Sequence, residues 1–187
     1  MSDNQSLRQE AEQVLANADR LYSTAEVELA LDRMAREIST VLHDRNPLVL
    51  CPMLGAVIFT GRLLPRLNFS LELEYVHVTR YQGQTQGGTI HWLRRPQATV
   101  AGRTLLVLDD ILDQGLTMRS ILDECRQAGA GDIFTAVLVD KKTGGSKQLS
   151  RANFTGLEVP DRYVFGYGMD YKGYLRNCPG IYAVKES

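Results

Sequence analysis

The stretch that most constrains this chain is residues 105–118, LLVLDDILDQGLTM. Residues 105–108 form an apolar run with no polar alternation, the pattern of a strand covered on both faces of a parallel sheet. Asp109 and Asp110 are predicted to stand where that strand stops. Asp113 follows, and Gln114 and Gly115 then lead through Leu116 and Thr117 into the apolar-periodic MRSILDECRQAG, which reads as a helix. The order is therefore strand, acidic edge, glycine turn, helix.

An open α/β sheet binds its ligands beyond the carboxyl ends of its strands, so this edge is where chemistry is expected. The main-chain N–H groups of residues 114–117, with the dipole of the following helix, suit a phosphate. Three carboxylates beside such a cradle would repel the same phosphate. The conflict resolves if the ligand offers hydroxyls to Asp109 and Asp110 and brings a divalent cation to offset the charge. A ribose 5-phosphate carrying a pyrophosphate has all of these parts.

Length and composition narrow the field further. A chain of 187 residues is most simply one domain, residues 1–187, long enough to bury a core. A formal charge of −1 and 23% charged residues argue against a nucleic-acid surface. Cys51, Cys125 and Cys178 are odd in number and lack metal-ligand spacing, which points to free thiols in a reducing cytoplasm. No apolar run reaches the roughly 18 residues of a membrane span, and the first residues do not resemble a signal peptide. Neither GxxxxGK[ST] nor GxGxxG is present, so nucleotide sites of those two designs have no support.

Along the chain, Leu7, Ala11, Val14, Leu15 and Ala18 predict a helix over residues 7–21, an extension to the domain. Ser23 or Thr24, with Glu26 or Glu28 after it, should cap a second helix with Val27, Leu31, Met34, Ile38, Val41 and Leu42 on one face. His43 is expected to face solvent at its end. Residues 48–53 read as a strand, Gly55 as a turn, and residues 57–64 as a helix that Pro65 closes. Residues 71–78 predict a third strand. In residues 79–92 glycine and glutamine dilute the apolar content almost to nothing, predicting a long mobile loop before residues 90–93 pair back as a strand. Trp92 is expected to pack and His91 to lie at the surface. Residues 133–139 predict a core strand running into Asp140, Lys141 and Lys142, and a lysine there lies on the ligand side of the sheet. Position alone leaves either lysine as readily solvated as functional. Pro160 and Asp161 read as a turn, residues 162–165 as a short strand, and Gly166 and Gly168 as sites of close approach or positive φ.

The sequence Asp-Asp-Ile-Leu-Asp followed by Gly-Leu-Thr, at the end of an apolar strand, resembles the phosphoribosyl pyrophosphate (PRPP) signature of type I phosphoribosyltransferases. The likeness extends from about residue 22 to residue 184 and includes four separated segments in the family's order. It implies a central, mostly parallel sheet flanked by helices, with a small hood over residues 158–187 and a flexible lid loop. By the same resemblance Asp109, Asp110, Gln114, Gly115, Leu116 and Thr117 hold the ribose phosphate, and Asp113 is the general base near N7. Met53, Leu54 and Gly55 form the pyrophosphate loop with Arg176 nearby; Leu54 stands where known members carry lysine. Tyr81 matches a lid tyrosine, with Arg80 in place of the usual serine. Lys141 matches a lysine aimed at the exocyclic oxygen of a 6-oxopurine, while Lys142 points to water. Tyr163 matches the aromatic residue that stacks on the base and Val164 the backbone that reads its edge. Mg²⁺ is implied at Asp109 and Asp110, with Asp170 serving a second ion.

The expected reaction is phosphoribosyl transfer from PRPP to N9 of hypoxanthine or guanine, with no nucleic-acid or membrane partner. A homodimer or homotetramer is expected, since oligomers of this kind are common. Transfer to another base, such as xanthine, adenine or a pyrimidine, and a non-catalytic PRPP-sensing regulator are the alternatives.

Overall fold

The computed structural model describes residues 3–80 and 90–186. Tyr81 and most of the predicted lid lie outside the described residues. Arg80 is the last residue of the strand that leads there.

Five strands make the parallel part of the main sheet: β2 (Leu48–Met53), β3 (Glu72–Arg80), β5 (Leu105–Leu112), β6 (Ile133–Lys142) and β7 (Phe154–Pro160). One edge carries β4 (Ile90–Arg94), antiparallel to β3, and the order is β4-β3-β2-β5-β6-β7. The apolar run of β5 now has its reason. Leu106 and Leu108 face a core formed with α2 (Thr24–Leu42) and α3 (Ala56–Leu63). Leu105 and Val107 face a second core under α4 (Leu116–Gln127), with Met118, Ile121, Leu122 and Cys125. Alternate side chains of one strand thus bury into both layers, and no position tolerates a polar residue until Asp109.

α2 begins as its letters predict. Ser23 is the N-cap and exchanges hydrogen bonds with Glu26 in a capping box, satisfying donors at the first turn. At the other end His43 is exposed, with Nδ1 3.1 Å from the Ser39 carbonyl oxygen. Trp92 is half-buried against the α4-side core and His91 is exposed. Pro65 lies in a 3-10 turn, Leu64–Arg66, that follows α3.

Two expectations need correction, and one strand had none. β5 does not stop before Asp109: Asp109 pairs with Val137, Ile111 with Val139 and Leu112 with Asp140. Main-chain pairing with β6 is indifferent to the acidic side chains, and Leu112 supplies the apolar cover that keeps the strand in place. The first helix does not reach residue 21. α1 spans Asp3–Asn17, and β1 (Asp19–Tyr22) pairs antiparallel with β9 (Ile181–Ala183). That pairing is non-local, so helical spacing near residue 18 carries no sign of it. β7 was not anticipated, because Gly156 interrupts its pattern; a Cβ there would press on the Leu138 carbonyl oxygen and the Met34 sulfur.

β1, β9 and β8 (Val164–Phe165) form a separate three-stranded antiparallel sheet. It stands over the carboxyl ends of β2, β5 and β6 as the hood. Among the described residues no helix is long and apolar enough to cross a membrane.

Candidate active site

A cavity of about 500 Å³ opens at the carboxyl ends of β2, β5 and β6, beneath the hood. Met53, Leu54, Gly55, Asp109, Asp110, Asp113, Gly115, Thr117, Lys141, Tyr163, Val164, Asp170 and Arg176 all line it. Residues scattered over more than 120 positions of sequence thus share one wall. Gln114 and Leu116 belong to the same turn but do not line the cavity. The Gln114 carbonyl instead accepts from the Gln148 N–H at 2.8 Å. Pro52, Val78, Met118 and Met169 also line the cavity, and sequence reasoning passed over them. Met169 was legible only as the residue between Gly168 and Asp170.

One side of the cavity is built by Gly115. Its φ of +77° turns the chain from β5 into α4, a conformation open to glycine at little cost. No side chain caps α4 at this residue, and Gly115 and Thr117 both line the cavity, so the uncapped start of the helix lies at its mouth.

Opposite lies the loop after β2. A Cβ on Gly55 would overlap the Asp110 carboxylate, and a Cβ on Gly168 would overlap the Gly55 carbonyl oxygen. The loop is therefore pressed between the acidic wall and the hood. Leu54 is largely exposed.

Asp110 is buried, and its Oδ1 accepts from the Ile111 N–H at 2.9 Å. Burial pushes its carboxyl up; the hydrogen bond shared with Asp109 and the Arg176 guanidinium pull the other way. Arg176 donates to the Gly168 carbonyl at 2.7 Å and pairs with Asp170 at 2.6 Å. Asp170 also accepts from the Gly173 N–H at 2.7 Å. Both Asp170 oxygens are thus engaged within the hood. Among the described residues no three His, Cys, Asp or Glu side chains form a ready-made metal cluster. Asp109, Asp110 and Asp170 are not assembled into a closed cage, which is how magnesium sites are commonly built, with water and substrate oxygens completing the shell.

At the ends of β5 and β6, Lys141 Nζ is 3.5 Å from Asp113 Oδ2. The lysine is largely buried and the aspartate more open, at 13% and 41% side-chain exposure. A donor and an acceptor therefore face the cavity side by side. Lys142 is on the outside, paired with Glu158 at 2.7 Å. Tyr163 is 51% exposed at the rim, edge-on to Tyr171 with ring centroids 5.4 Å apart. Tyr171 and Lys172 both donate to Glu10 of α1 at 2.6 Å, tying the first helix to the hood.

Beneath the site a second pair went unpredicted. Asp140 and Lys147 are both nearly buried and ion-paired. Asp140 adjoins the singled-out Lys141, whereas Lys147 lies in a Gly- and Ser-rich connection that gave no signal.

The comparisons agree with this architecture. The family model described as "Phosphoribosyl transferase domain" matches residues 17–172. The hypoxanthine-guanine-xanthine phosphoribosyltransferase of Tritrichomonas foetus is 32% identical over 89% of this chain and 91% of its own length. The bifunctional protein TilS/HprT of Listeria monocytogenes is 32% identical over 97% of the chain, which spans only 27% of that protein. A solved hypoxanthine-guanine-xanthine phosphoribosyltransferase superposes with a TM-score of 0.81 at 30% identity, covering 90% of this chain and 97% of the other. With the sheet order, the acidic strand end and the glycine turn in agreement, the chain belongs to the phosphoribosyltransferase family and, within it, to the hypoxanthine-guanine phosphoribosyltransferases.

Proposed function

We propose that this chain transfers the 5-phosphoribosyl group of PRPP to N9 of hypoxanthine or guanine, giving the nucleoside 5′-monophosphate and pyrophosphate. The observation that carries this reading is the adjacency of Lys141 and Asp113, 3.5 Å apart, in the same cavity as Asp109, Asp110 and the start of α4. Asp109 and Asp110 hold the ribose hydroxyls. Gly115 and Thr117, the residues of the 114–117 turn that line the cavity, bind the 5′-phosphate through main-chain N–H groups and the Thr117 hydroxyl. The loop of Met53, Leu54 and Gly55 meets the pyrophosphate with its backbone, since Leu54 has no charge to offer.

Departure of pyrophosphate leaves positive charge on the ribose, and the carboxylates of the wall stabilise it where it forms. Asp113 accepts the purine proton as N9 attacks. Lys141 donates to O6; adenine would set an amino group against the ammonium and leave both donors unpaired. Tyr163 offers its ring face to the base. Arg80 and Tyr81 begin the lid that excludes water.

Asp109 and Asp110 present the oxygen donors that a hard cation takes, and the repulsion between them is what such a cation would offset. Mg²⁺ there would neutralise the leaving pyrophosphate, and Asp170 would serve a second ion only by sharing an oxygen now held by Arg176 or Gly173. The protein acts in the cytoplasm, consistent with three buried free thiols. It assembles as a homodimer or homotetramer, a reading supported by exposed Val57, Leu73 and Tyr75 beside one apolar groove.

A base panel tests the proposal. With PRPP and Mg²⁺, pyrophosphate release should follow addition of hypoxanthine or guanine and not adenine. No pyrophosphate release with any base, while PRPP still binds, would leave a non-catalytic PRPP-sensing regulator as the better reading. The xanthine named for the Tritrichomonas relative belongs in the panel, because its 6-oxo group meets Lys141 equally well.

A further inference from the structure

The buried pair beneath the site makes contacts that bear on both residues of the base side. Lys147 lies between β6 and β7 with its side chain only 10% exposed. Its ammonium donates to the Leu112 carbonyl at 3.0 Å and pairs with Asp140, itself 12% exposed. Leu112 immediately precedes Asp113, and Asp140 immediately precedes Lys141. One cation therefore holds the main chain of β5 and the side chain of β6 at the last position before each functional group.

The contact continues along the chain. The Gln148 N–H donates to the Gln114 carbonyl at 2.8 Å. The Leu149 backbone nitrogen lies 2.8 Å from where a Cβ on Gly115 would stand. Three consecutive residues, 147 to 149, thus run under the turn from Leu112 to Gly115.

Burying an ammonium is costly, and an apolar side chain of similar volume commonly serves stability as well or better. A lysine here does something an apolar residue cannot: it grips a carbonyl and a carboxylate from two different strands at once. Asp140 has a further cation, Lys142, at 3.6 Å, but that side chain is 54% exposed and reaches from outside.

We infer that Lys147 is a positioning residue for the transfer reaction, clamping the ends of β5 and β6 so that Asp113 and Lys141 present one acceptor and one donor to the same base. The inference rests on the proposed roles of those two residues. A displacement of about 1 Å at a reacting group can cost on the order of 100-fold in rate.

The test compares Lys147→Met, the double variant Asp140→Leu/Lys147→Met, Lys147→Arg and Asp140→Asn with the unaltered protein. For each, turnover with hypoxanthine, the preference for hypoxanthine over adenine, and the thermal midpoint are measured. We expect Lys147→Met and the double variant to lose about 10- to 100-fold in turnover and to relax the preference, with Lys147→Arg restoring most of both. The double variant removes both charges together, so its thermal midpoint should stay near that of the parent. The preference is a ratio within the active molecules, so partial unfolding does not move it.

A folded Lys147→Met or double variant with unchanged turnover and preference would overturn the inference. If neither folds, Asp140→Asn carries the same readouts, and unaltered values there would overturn it equally. Failure of all three to fold would show the pair to be structural only. Asp113→Asn and Lys141→Met, assayed alongside, separate the two levels of the argument. If they leave turnover and preference unchanged, the base-side reading itself fails; if they move these values and the Lys147 series does not, only the clamp fails.

Discussion

Lys141 and Asp113 meet at 3.5 Å across the ends of two neighbouring parallel strands. In the free protein each is the other's counter-charge, so the cavity presents a donor and an acceptor side by side.

Replacing Asp113 by Asn keeps the shape of the side chain and removes the proton acceptor. Turnover should fall by about 10²- to 10⁴-fold, the usual contribution of general acid–base catalysis, while KM for PRPP stays within a few-fold. Steady-state kinetics with hypoxanthine measure both, and an undiminished turnover number rejects the assignment.

Lys141→Ala should act on base choice more than on PRPP. We expect the hypoxanthine preference over adenine to drop by about 10-fold or more, since the rejected base no longer faces an unpaired ammonium. Equal losses for both bases would count against a role at O6.

Gly168 has φ of +112°, and a Cβ on it would overlap the Gly55 carbonyl. Gly168→Ala should therefore cost about 1–3 kcal/mol of stability through backbone strain and steric overlap. It should also weaken PRPP binding, because the loop of Met53 to Gly55 has to shift. Urea denaturation and PRPP titration measure the two effects, and a variant with parental values in both would refute the contact.

α1 reaches the hood through Glu10, and Tyr171 passes that contact to the edge of the Tyr163 ring. Glu10→Gln and Tyr171→Phe should raise KM for the base by no more than about fivefold, the modest scale of a solvent-exposed pair. KM for PRPP should hold. A rise in both constants would place the effect on the fold as a whole.

All three thiols are buried, and burial pushes each above its ordinary range, Cys125 up to about 11. A raised thiol pKa means little thiolate at pH 8, and thiolate is the reactive form. A disulfide reagent should label the native protein slowly at that pH and faster as the pH climbs. All three positions should react at once after denaturation; rapid native labelling of Cys125 would contradict its burial.

The letters disclosed the parts of this protein governed by local chemistry. The β5 apolar run, the Gly115 turn and the Ser23 capping box each rest on a few adjacent residues, and each formed as read. What stayed hidden depends on distant partners. Asp19–Tyr22 is a strand only because Ile181–Ala183 lies beside it. Lys147 is a buried cation only because Leu112 and Asp140 converge on it. The extension of β5 past Asp109 depends on its pairing with β6. Asp170 illustrates the same limit at the site, where its spacing gave no sign that Arg176 and Gly173 would occupy both oxygens.

The hood joins β1 at residue 19 to β8 and β9 beyond residue 164. Contacts of such high sequence separation form late, whereas the turn from β5 into α4 closes over a dozen neighbouring residues. During synthesis the β5–α4 wall of the cavity can therefore mature while the hood still waits for its last strand, so a ribosome-bound chain short of residue 181 has half a pocket.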